Sequence, residues 1–534
     1  MSNKKRQLPV RLLLLISFFE GGAVMVIELL GAKIIAPYYG TSLYVWSSVL
    51  GVTLGALALG YFAGGHISRK YPGPTSLFVL LLIGAFFTLL SPLLAPQILL
   101  LTDPLGVRMG SLVSVLLYLL PPVACMGAVS PIVTQLINQN ADEAGKSAGT
   151  VYSISTVGGI LATLLAGFYL IPELGIKLTS YLTGGALASA GLLYFIWARK
   201  TVLAVVSIGV AIVAMAFDSP AKDSDNVRVV YHSTGILGEW TVLDLGQWKV
   251  EGNDQIERKL LLNGIDQKYT QIGFESLSLW RYPHKIGAYS SMKPPGSKAL
   301  LLGMGGGSIA FEILAMGHEL DIVEMDERIR FIAEEYFKYD PSSSDLYIDD
   351  ARCFIRQSKE KYDFVVVDLV LGEVQPHHVF TLEGFEDIKK VLNPGAIVVI
   401  NFQGNIESPM YSLGPKCIYK TLEAAGFNVS HYSPPTSKEG KLNLTKDIFF
   451  LASLEEQDYT SLMEDLRYNE WFPYEDFGYE NLISDKPVDL EGAFVLVDDK
   501  PKLELINAPA MLNWRKNKVQ QNLKKMLNEG VHIF

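Results

Sequence analysis

The sequence predicts three architectures in series. An α-helical polytopic membrane domain occupies residues 1–217, a small antiparallel β-subdomain 226–282, and an α/β Rossmann-like domain 283–455; a C-terminal extension, 456–534, follows. Three observations predict this order. Apolar stretches of about 20 residues, enough to cross ~30 Å of hydrocarbon, recur through the first 217 residues. Charge is split, with 12 Lys/Arg against 6 Asp/Glu before residue 218, a balance of +6, and 33 against 49 after it, a balance of −16. Beyond Ser297 short apolar runs alternate with helical stretches, the pattern of a doubly wound, mostly parallel sheet.

At 534 residues the chain is too long for one compact domain, and with only 19% charged residues it is too apolar for a wholly soluble or a disordered one. Three scattered cysteines, Cys125, Cys353 and Cys417, form no CxxC or Cys/His spacing, so neither a disulfide framework nor a metal is expected. The acidic second half argues against nucleic-acid binding, which needs clustered Lys/Arg.

Seven segments are candidate spans: 10–32, 43–65, 76–100, 111–138, 149–172, 179–198 and 201–217. Lys4, Lys5, Arg6 and Arg11 precede the first, yet no small-residue cleavage site follows, so it reads as a retained helix and not a signal peptide. The basic loops, at the N-terminus, Arg69-Lys70 and Arg199-Lys200, belong on the cytoplasmic side of an inner membrane. Seven complete crossings would then place the acidic half outside. Either the 17-residue last segment does not cross and this half is cytoplasmic, or it is periplasmic. Glu20 and Glu28 lie eight residues apart on one stripe of the first span, a polar track facing the bundle, either functional or fixing helix packing. Glycines from Gly51 to Gly65 and Gly158-Gly159 permit close helix approach.

After a polar linker, 218–225, the runs Val227 to Tyr231, Trp240 to Leu245 and Lys259 to Asn263 read as short strands, and Phe274 to Tyr282 as a helix. Strands are then expected at Lys298 to Leu302, Glu319 to Val323, Leu346 to Ile348, Phe364 to Val367 and Ala396 to Asn401. The ligand of such a sheet sits beyond the strands' carboxyl ends. The first strand runs into Gly303-Met304-Gly305-Gly306-Gly307-Ser308, where glycines let backbone approach a ligand. Glu324 ends the second strand, 21 residues after Gly303, near the spacing at which a carboxylate meets ribose hydroxyls. Asp349-Asp350 and Asp368 end the next two. Acids at three successive strand ends suit a nucleoside and would repel a phosphate; helix capping is their other reading.

Residues 226–455 resemble the spermidine synthase family of aminopropyltransferases, a small β-domain followed by a class I methyltransferase-type sheet. The matching stretches are Leu262-Asn263-Gly264-Ile265-Asp266-Gln267, the glycine loop, Val323-Glu324-Met325-Asp326, Asp350-Ala351, Tyr362-Asp363-Phe364-Val365-Val366-Val367-Asp368 and Leu392-Asn393-Pro394-Gly395-Ala396. The whole chain resembles members in which a multi-span domain precedes the synthase domain. The resemblance implies a donor, decarboxylated S-adenosylmethionine or S-adenosylmethionine, held by Gln267, Gly303, Gly305, Gly306, Glu324, Met325, Asp350, Ala351 and Asp368. Glu324 would take the ribose and Asp350 the adenine amino group. It implies polyamine biosynthesis by aminopropyl transfer to a small-molecule amine.

Three departures fall on the amine side. Gly306 stands where the family's loop carries an aspartate, Leu371 where a second acid follows Asp368, and Ser276 where a tyrosine is expected. The base candidates are Asp368 and the following loop, with Glu373, His377 and His378. Methyl or aminocarboxypropyl transfer to a membrane-delivered acceptor, and a transporter with a nucleoside- or polyamine-sensing domain, are the alternatives. Val497-Asp498-Asp499-Lys500-Pro501-Lys502-Leu503-Glu504 resembles the family's C-terminal Asp-Asp segment, read as closing over the site or as a surface loop. Trp471 to Tyr479 is an aromatic and acidic stretch, and Ala508 to Leu527 a basic amphipathic helix suited to the membrane domain or lipid headgroups. Whether the chain pairs as a homodimer stays open.

Overall fold

The computed structural model describes residues 8–138, 144–216, 226–235, 237–250, 253–272, 278–370, 375–434, 445–464, 482–484 and 486–528. The chain divides into two compact units, Met1–Ser224 with His232–Trp240 and Leu523–Phe534, and Asp225–Tyr231 with Thr241–Asn522.

The first unit is a helical bundle: α1 (Val10–Tyr39), α2 (Leu43–Lys70), α3 (Pro74–Thr102), α4 (Gly106–Gly127), α5 (Val129–Ile137), α6 (Ala144–Leu165), α7 (Gly175–Trp197) and α8 (Thr201–Ala216). Five helical runs are long and apolar enough to cross a membrane. The fifth, Ala144–Trp197, joins two of the segments expected to be separate, because the chain between them stays helical through a π-helical turn, Ala166–Leu174. In a straight helix Leu170 and Thr179 would stand about 13 Å apart. Here Thr179 Oγ1 donates to Leu170 O at 3.1 Å, so the run bends sharply near Pro172 and Gly175. The last apolar segment forms a helix of 16 residues, shorter than a span requires.

Glycine sets the helix crossings. A Cβ on Gly158 or Gly21 would collide with the α1 or α6 backbone, and one on Gly60 or Gly64 with that of Ala124 or Ala128. Gly51, Gly55 and Gly65, by contrast, have open space. Glu20 and Glu28 are both buried, as the stripe predicts. Ser130 Oγ and Ser155 Oγ donate to Glu20 Oε2 at 3.3 and 3.2 Å. Large apolar side chains such as Phe19, Leu54, Phe62, Leu101 and Leu193 point outward.

Strands β1 (Val227–Gly235), β2 (Gly238–Val250), β3 (Asn253–Leu262) and β4 (Ile265–Ile272) form a four-stranded sheet in that order. The helix expected over Phe274 to Tyr282 begins later. Residues 273–277 lie outside the described residues, Ser278 bridges back to Thr270, and α9 spans Arg281–Ser290. The delay has a local cause, since Trp280 is extended at the N-cap and the His284 ring bonds Ser278 O at 2.9 Å.

Elements β5 (Lys298–Leu302), α10 (Ser308–Ala315), β6 (Glu319–Glu324), α11 (Arg328–Phe337), β7 (Asp345–Ile348), α12 (Ala351–Gln357), β8 (Tyr362–Val367), α13 (Leu382–Lys389), β9 (Leu392–Gly404), α14 (Leu413–Ala424), β10 (Asn428–Tyr432) and β11 (Lys446–Ser453) follow. Their sheet has the order β10-β11-β9-β8-β5-β6-β7. It is parallel from β9 to β7, while β11 and β10 are antiparallel additions that the sequence reading did not identify. The order reverses between β5 and β8, which makes the crevice beyond Leu302 and Val367 the place for a ligand. Alternation divides β9 and β11 into two faces. Ile400, Phe402, Ile448 and Phe450 enter the apolar core, and Asn401, Gln403, Asp447 and Phe449 occupy the opposite face. Helices α15 (Tyr459–Glu464) and α16 (Leu503–Asn528) complete the described chain; Trp471 to Tyr479 lies outside it.

Candidate functional site

The glycine loop takes its shape from φ angles of +94°, +51° and +82° at Gly303, Gly305 and Gly307, a region costly for any residue with a Cβ. Gly303 has a second constraint, because a Cβ there would collide with the Asp368 carbonyl at the end of β8. A Cβ on Gly305 would stand 3.7 Å from Gln267 O, which brings β4 beside the loop. Gly306 is hemmed in by the Lys268 side chain, whose Nζ donates to Gly306 O at 2.7 Å. Lys268 is buried, and burial pulls its pKa down to about 7 against the opposing charge of Glu312.

Glu324 faces this loop from the end of β6. Its Oε2 accepts from Met304 N at 3.1 Å, and its Oε1 from Met325 N and Asp326 N at 2.8 and 3.0 Å. Burial raises its pKa, partly offset by those N–H donors. The carboxylate is thereby fixed in orientation with lone pairs left to accept from a diol. Asp326 does structural work instead, accepting from Arg328 N and pairing with the Arg328 guanidinium at 2.6 Å.

Asp350 is an N-cap as well as a strand-end acid. Its Oδ1 accepts from Arg352 N and Cys353 N, each at 3.0 Å, and its Oδ2 lies 2.9 Å from His378 Nε2. Against its desolvation, the Cys353 N–H, His378 and the Arg352 N–H hold its carboxyl below the usual range. Ala351 opens α12 and is buried, whereas the Met325 side chain is exposed beside Glu324. Arg352 Nη1 donates to Asp498 Oδ1 at 2.7 Å and Arg352 Nε to Asp387 Oδ2 at 2.9 Å. The Asp-Asp segment is thus clamped to α12 and α13.

The loop candidates fare unevenly. Glu373 lies outside the described residues. His377 packs against the Val497–Asp498 backbone, and burial lowers its pKa; among the described residues no contact joins it to Asp368 or the glycine loop. Asp368, in contrast, sits beside Gly303, accepts from Asn401 Nδ2 at 2.9 Å, and is pushed up to about 7 by burial, partly offset by Asn401, with Asp447 adding to the rise.

Residues the sequence reading missed gather around Asp368. Asn401 and Gln403 project from β9 and Asp447 from β11, with Gln403 Nε2 donating to Asp447 Oδ1 at 3.4 Å. Burial of Tyr282 on α9, with the nearby charges of Asp368 and Asp447, holds its phenol well above its usual pKa. The strand face is completed by Tyr289 and Phe449, whose ring centroids are 5.7 Å apart. Among the described residues no group of three or more His, Cys, Asp or Glu is arranged to hold a metal.

Residues 282–432 match the Spermine/spermidine synthase domain family. The polyamine aminopropyltransferase 2 of Aquifex aeolicus is 25% identical over 431 residues, 77% of this chain and 82% of its own. The polyamine aminopropyltransferase of Vibrio vulnificus is 34% identical over 114 residues, 20% of this chain; the match spans 38% of that relative. Among solved structures, the spermidine synthase of Thermotoga maritima is 17% identical with a TM-score of 0.34, over 56% of this chain and 88% of that one.

Proposed function

We propose that this chain, which carries a spermidine synthase domain behind an N-terminal helical region, is a membrane-anchored transferase that moves an aminopropyl group from decarboxylated S-adenosylmethionine to an amine. The observation that carries the reading is Asp368, a strand-end carboxylate beside the glycine loop, half-buried and titrating near neutrality. In this reading Glu324 accepts from the ribose hydroxyls, Gln267 and the loop backbone line the sulfonium end, and Asp350 and Met325 border the adenine. The acceptor nitrogen attacks the carbon attached to sulfur. A C–N bond forms, the C–S bond breaks, and the sulfonium leaves as neutral methylthioadenosine. The proton lost by the nitrogen goes to Asp368 and then to water. The enzyme's contribution is in-line positioning and deprotonation.

The five apolar runs and their outward Phe and Leu side chains support residence in a bilayer, and the basic loops support an inner membrane with the α/β half cytoplasmic. A second reading, methyl or aminocarboxypropyl transfer from S-adenosylmethionine, is favoured by one observation: the amine of Lys268, and no carboxylate, packs against Gly306.

Calorimetric titration of the detergent-purified protein with both donors, followed by a methylthioadenosine release assay over a panel of amines, tests the readings. Tighter binding of the decarboxylated donor and amine-dependent release are expected. Binding of S-adenosylmethionine alone would replace the first reading with the second.

A further inference from the structure

The family's acceptor acids at positions 306 and 371 are absent, yet the strand face beside Asp368 is lined by acceptors. Asn401 is 2% exposed; its Nδ2 is spent on Asp368, and its Oδ1 has no hydrogen-bond partner among the described residues. A buried, unmet acceptor costs about 1–3 kcal/mol unless a ligand supplies the donor. Asp447 lies further along the same face. The register places Ile400 beside Val367 and Gln403 beside Asp447, so Asp368 and Asp447 are separated by two strand spacings across the sheet and about two residues along it. That puts their Cα atoms roughly 12 Å apart, with both side chains on one face of the sheet. A four-carbon diamine spans about 6 Å between its nitrogens, and with a hydrogen bond of about 3 Å at each end it bridges two carboxylates on that scale.

We propose that Asp447 is the second acceptor-binding carboxylate of this enzyme, and that the site takes a dicationic amine with its reacting nitrogen at Asp368 and Asn401 Oδ1 and its distal ammonium at Asp447. The inference rests on the aminopropyl-transfer reading and deepens it. Antiparallel β11 supplies what the missing Asp-x-x-Asp pair does not, and Gln403 positions the new carboxylate from the neighbouring strand. Tyr282 of α9 lies within the electrostatic influence of both carboxylates and offers an aromatic face near the amine chain. Two ammonium groups are recognised by two acids at a set spacing, whereas a monoamine engages only Asp368.

The test compares wild type, Asp447→Asn and Asp447→Glu with 1,4-diaminobutane and with butylamine as acceptors. For Asp447→Asn, KM for the diamine is expected to rise about 10- to 100-fold, the loss of one charge-assisted contact. Its affinity for the decarboxylated donor is expected to stay near wild type, which confirms that the variant folds, and at a pH well above 7, where Asp368 is ionised in both proteins, its butylamine kcat/KM is expected to change far less than its diamine kcat/KM. Asp447→Glu is expected to recover part of the diamine KM. An unchanged diamine KM in Asp447→Asn, with wild type active, overturns this inference alone. Wild type that releases no methylthioadenosine with any amine overturns the aminopropyl reading and this inference with it.

Discussion

In the proposed reading, the donor wall and the acceptor wall of the site are built from different materials. On the donor side backbone dominates. Three positive-φ glycines shape the loop, and Glu324 at the end of β6 is held by the N–H groups of Met304, Met325 and Asp326, so that in this reading shape and one fixed carboxylate do the selecting. On the acceptor side selection falls to side chains, Asp368, Asn401, Asp447 and Tyr282, which present acceptors on an otherwise apolar strand face. The difference teaches where each kind of discrimination resides. A backbone cradle distinguishes ligands by whether they fit, and an array of acceptors distinguishes them by how many charged donors they bring.

The largest expected effect is on the donor wall. Glu324→Ala removes the acceptor facing the diol and leaves the N–H groups of Met304, Met325 and Asp326 without their partner. Donor affinity in calorimetry is expected to fall by at least 100-fold, from the loss of a charged, buried hydrogen-bonding group. Unchanged affinity would mean that Glu324 serves only the loop, and the contrast between the walls would collapse.

The next is on the acceptor wall. Asp368→Asn is expected to retain donor affinity while kcat falls about 100- to 1,000-fold, the range lost with a general base. Its pH dependence gives the sharper readout. Burial raises the Asp368 carboxyl to about 7, so kcat/KM of the wild type should climb with pH through about 7 as the base form appears, and this limb should vanish in Asp368→Asn. Stability should run the other way. Between about 4 and 7 the folded protein keeps a proton that the unfolded chain releases, so the Asp368 contribution falls as pH rises through that window. The melting temperature of Asp368→Asn relative to wild type is therefore expected to increase from pH 5 to pH 8. A constant difference would show that Asp368 titrates normally.

The same contrast explains what was legible in the sequence. The donor wall is written as consecutive glycines and an acid at a fixed offset, because strand, turn and helix must follow one another in the chain; Gly303 and Glu324 were readable for that reason. Asp350 was readable both as a strand-end acid and as a helix cap, but its engagement with His378 was not. The residues proposed for the acceptor wall lie 79 positions apart, joined through an antiparallel strand whose side-chain alternation is visible in Lys446 to Ser453 only once its pairing with β9 is known. Counting three residues from Asp368 leads to Leu371, which offers the amine no acid. The signal that such counting cannot see is Asp447 and Asn401, polar residues on strands rich in apolar ones. In the helical half, hydropathy located the apolar segments, but not the π-helical turn that carries Pro172 and Glu173 and joins two of them into one run.

The smallest expected effect sharpens the donor wall. Lys268 lies beneath Gly306, 3% exposed, with its pKa pulled down to about 7 by burial. The sign follows from the proton count. Between about 7 and 10.4 the unfolded chain carries a proton on this amine that the folded protein has lost, so the lysine's contribution to stability increases with pH across that window and is least favourable below 7. Lys268→Met abolishes the titration and also the hydrogen bond to Gly306 O, which is worth about 1 kcal/mol at every pH. The melting temperature of the variant minus that of wild type is therefore expected to decline from pH 6.5 to pH 9.5, whatever its absolute value. Donor affinity should weaken only a few-fold, since the glycine φ angles do not depend on the amine. A difference that stays level with pH would place a charged Lys268 under the loop. The donor wall would then carry a fixed cation, and the contrast between a wall of shape and a wall of charge would have to be redrawn.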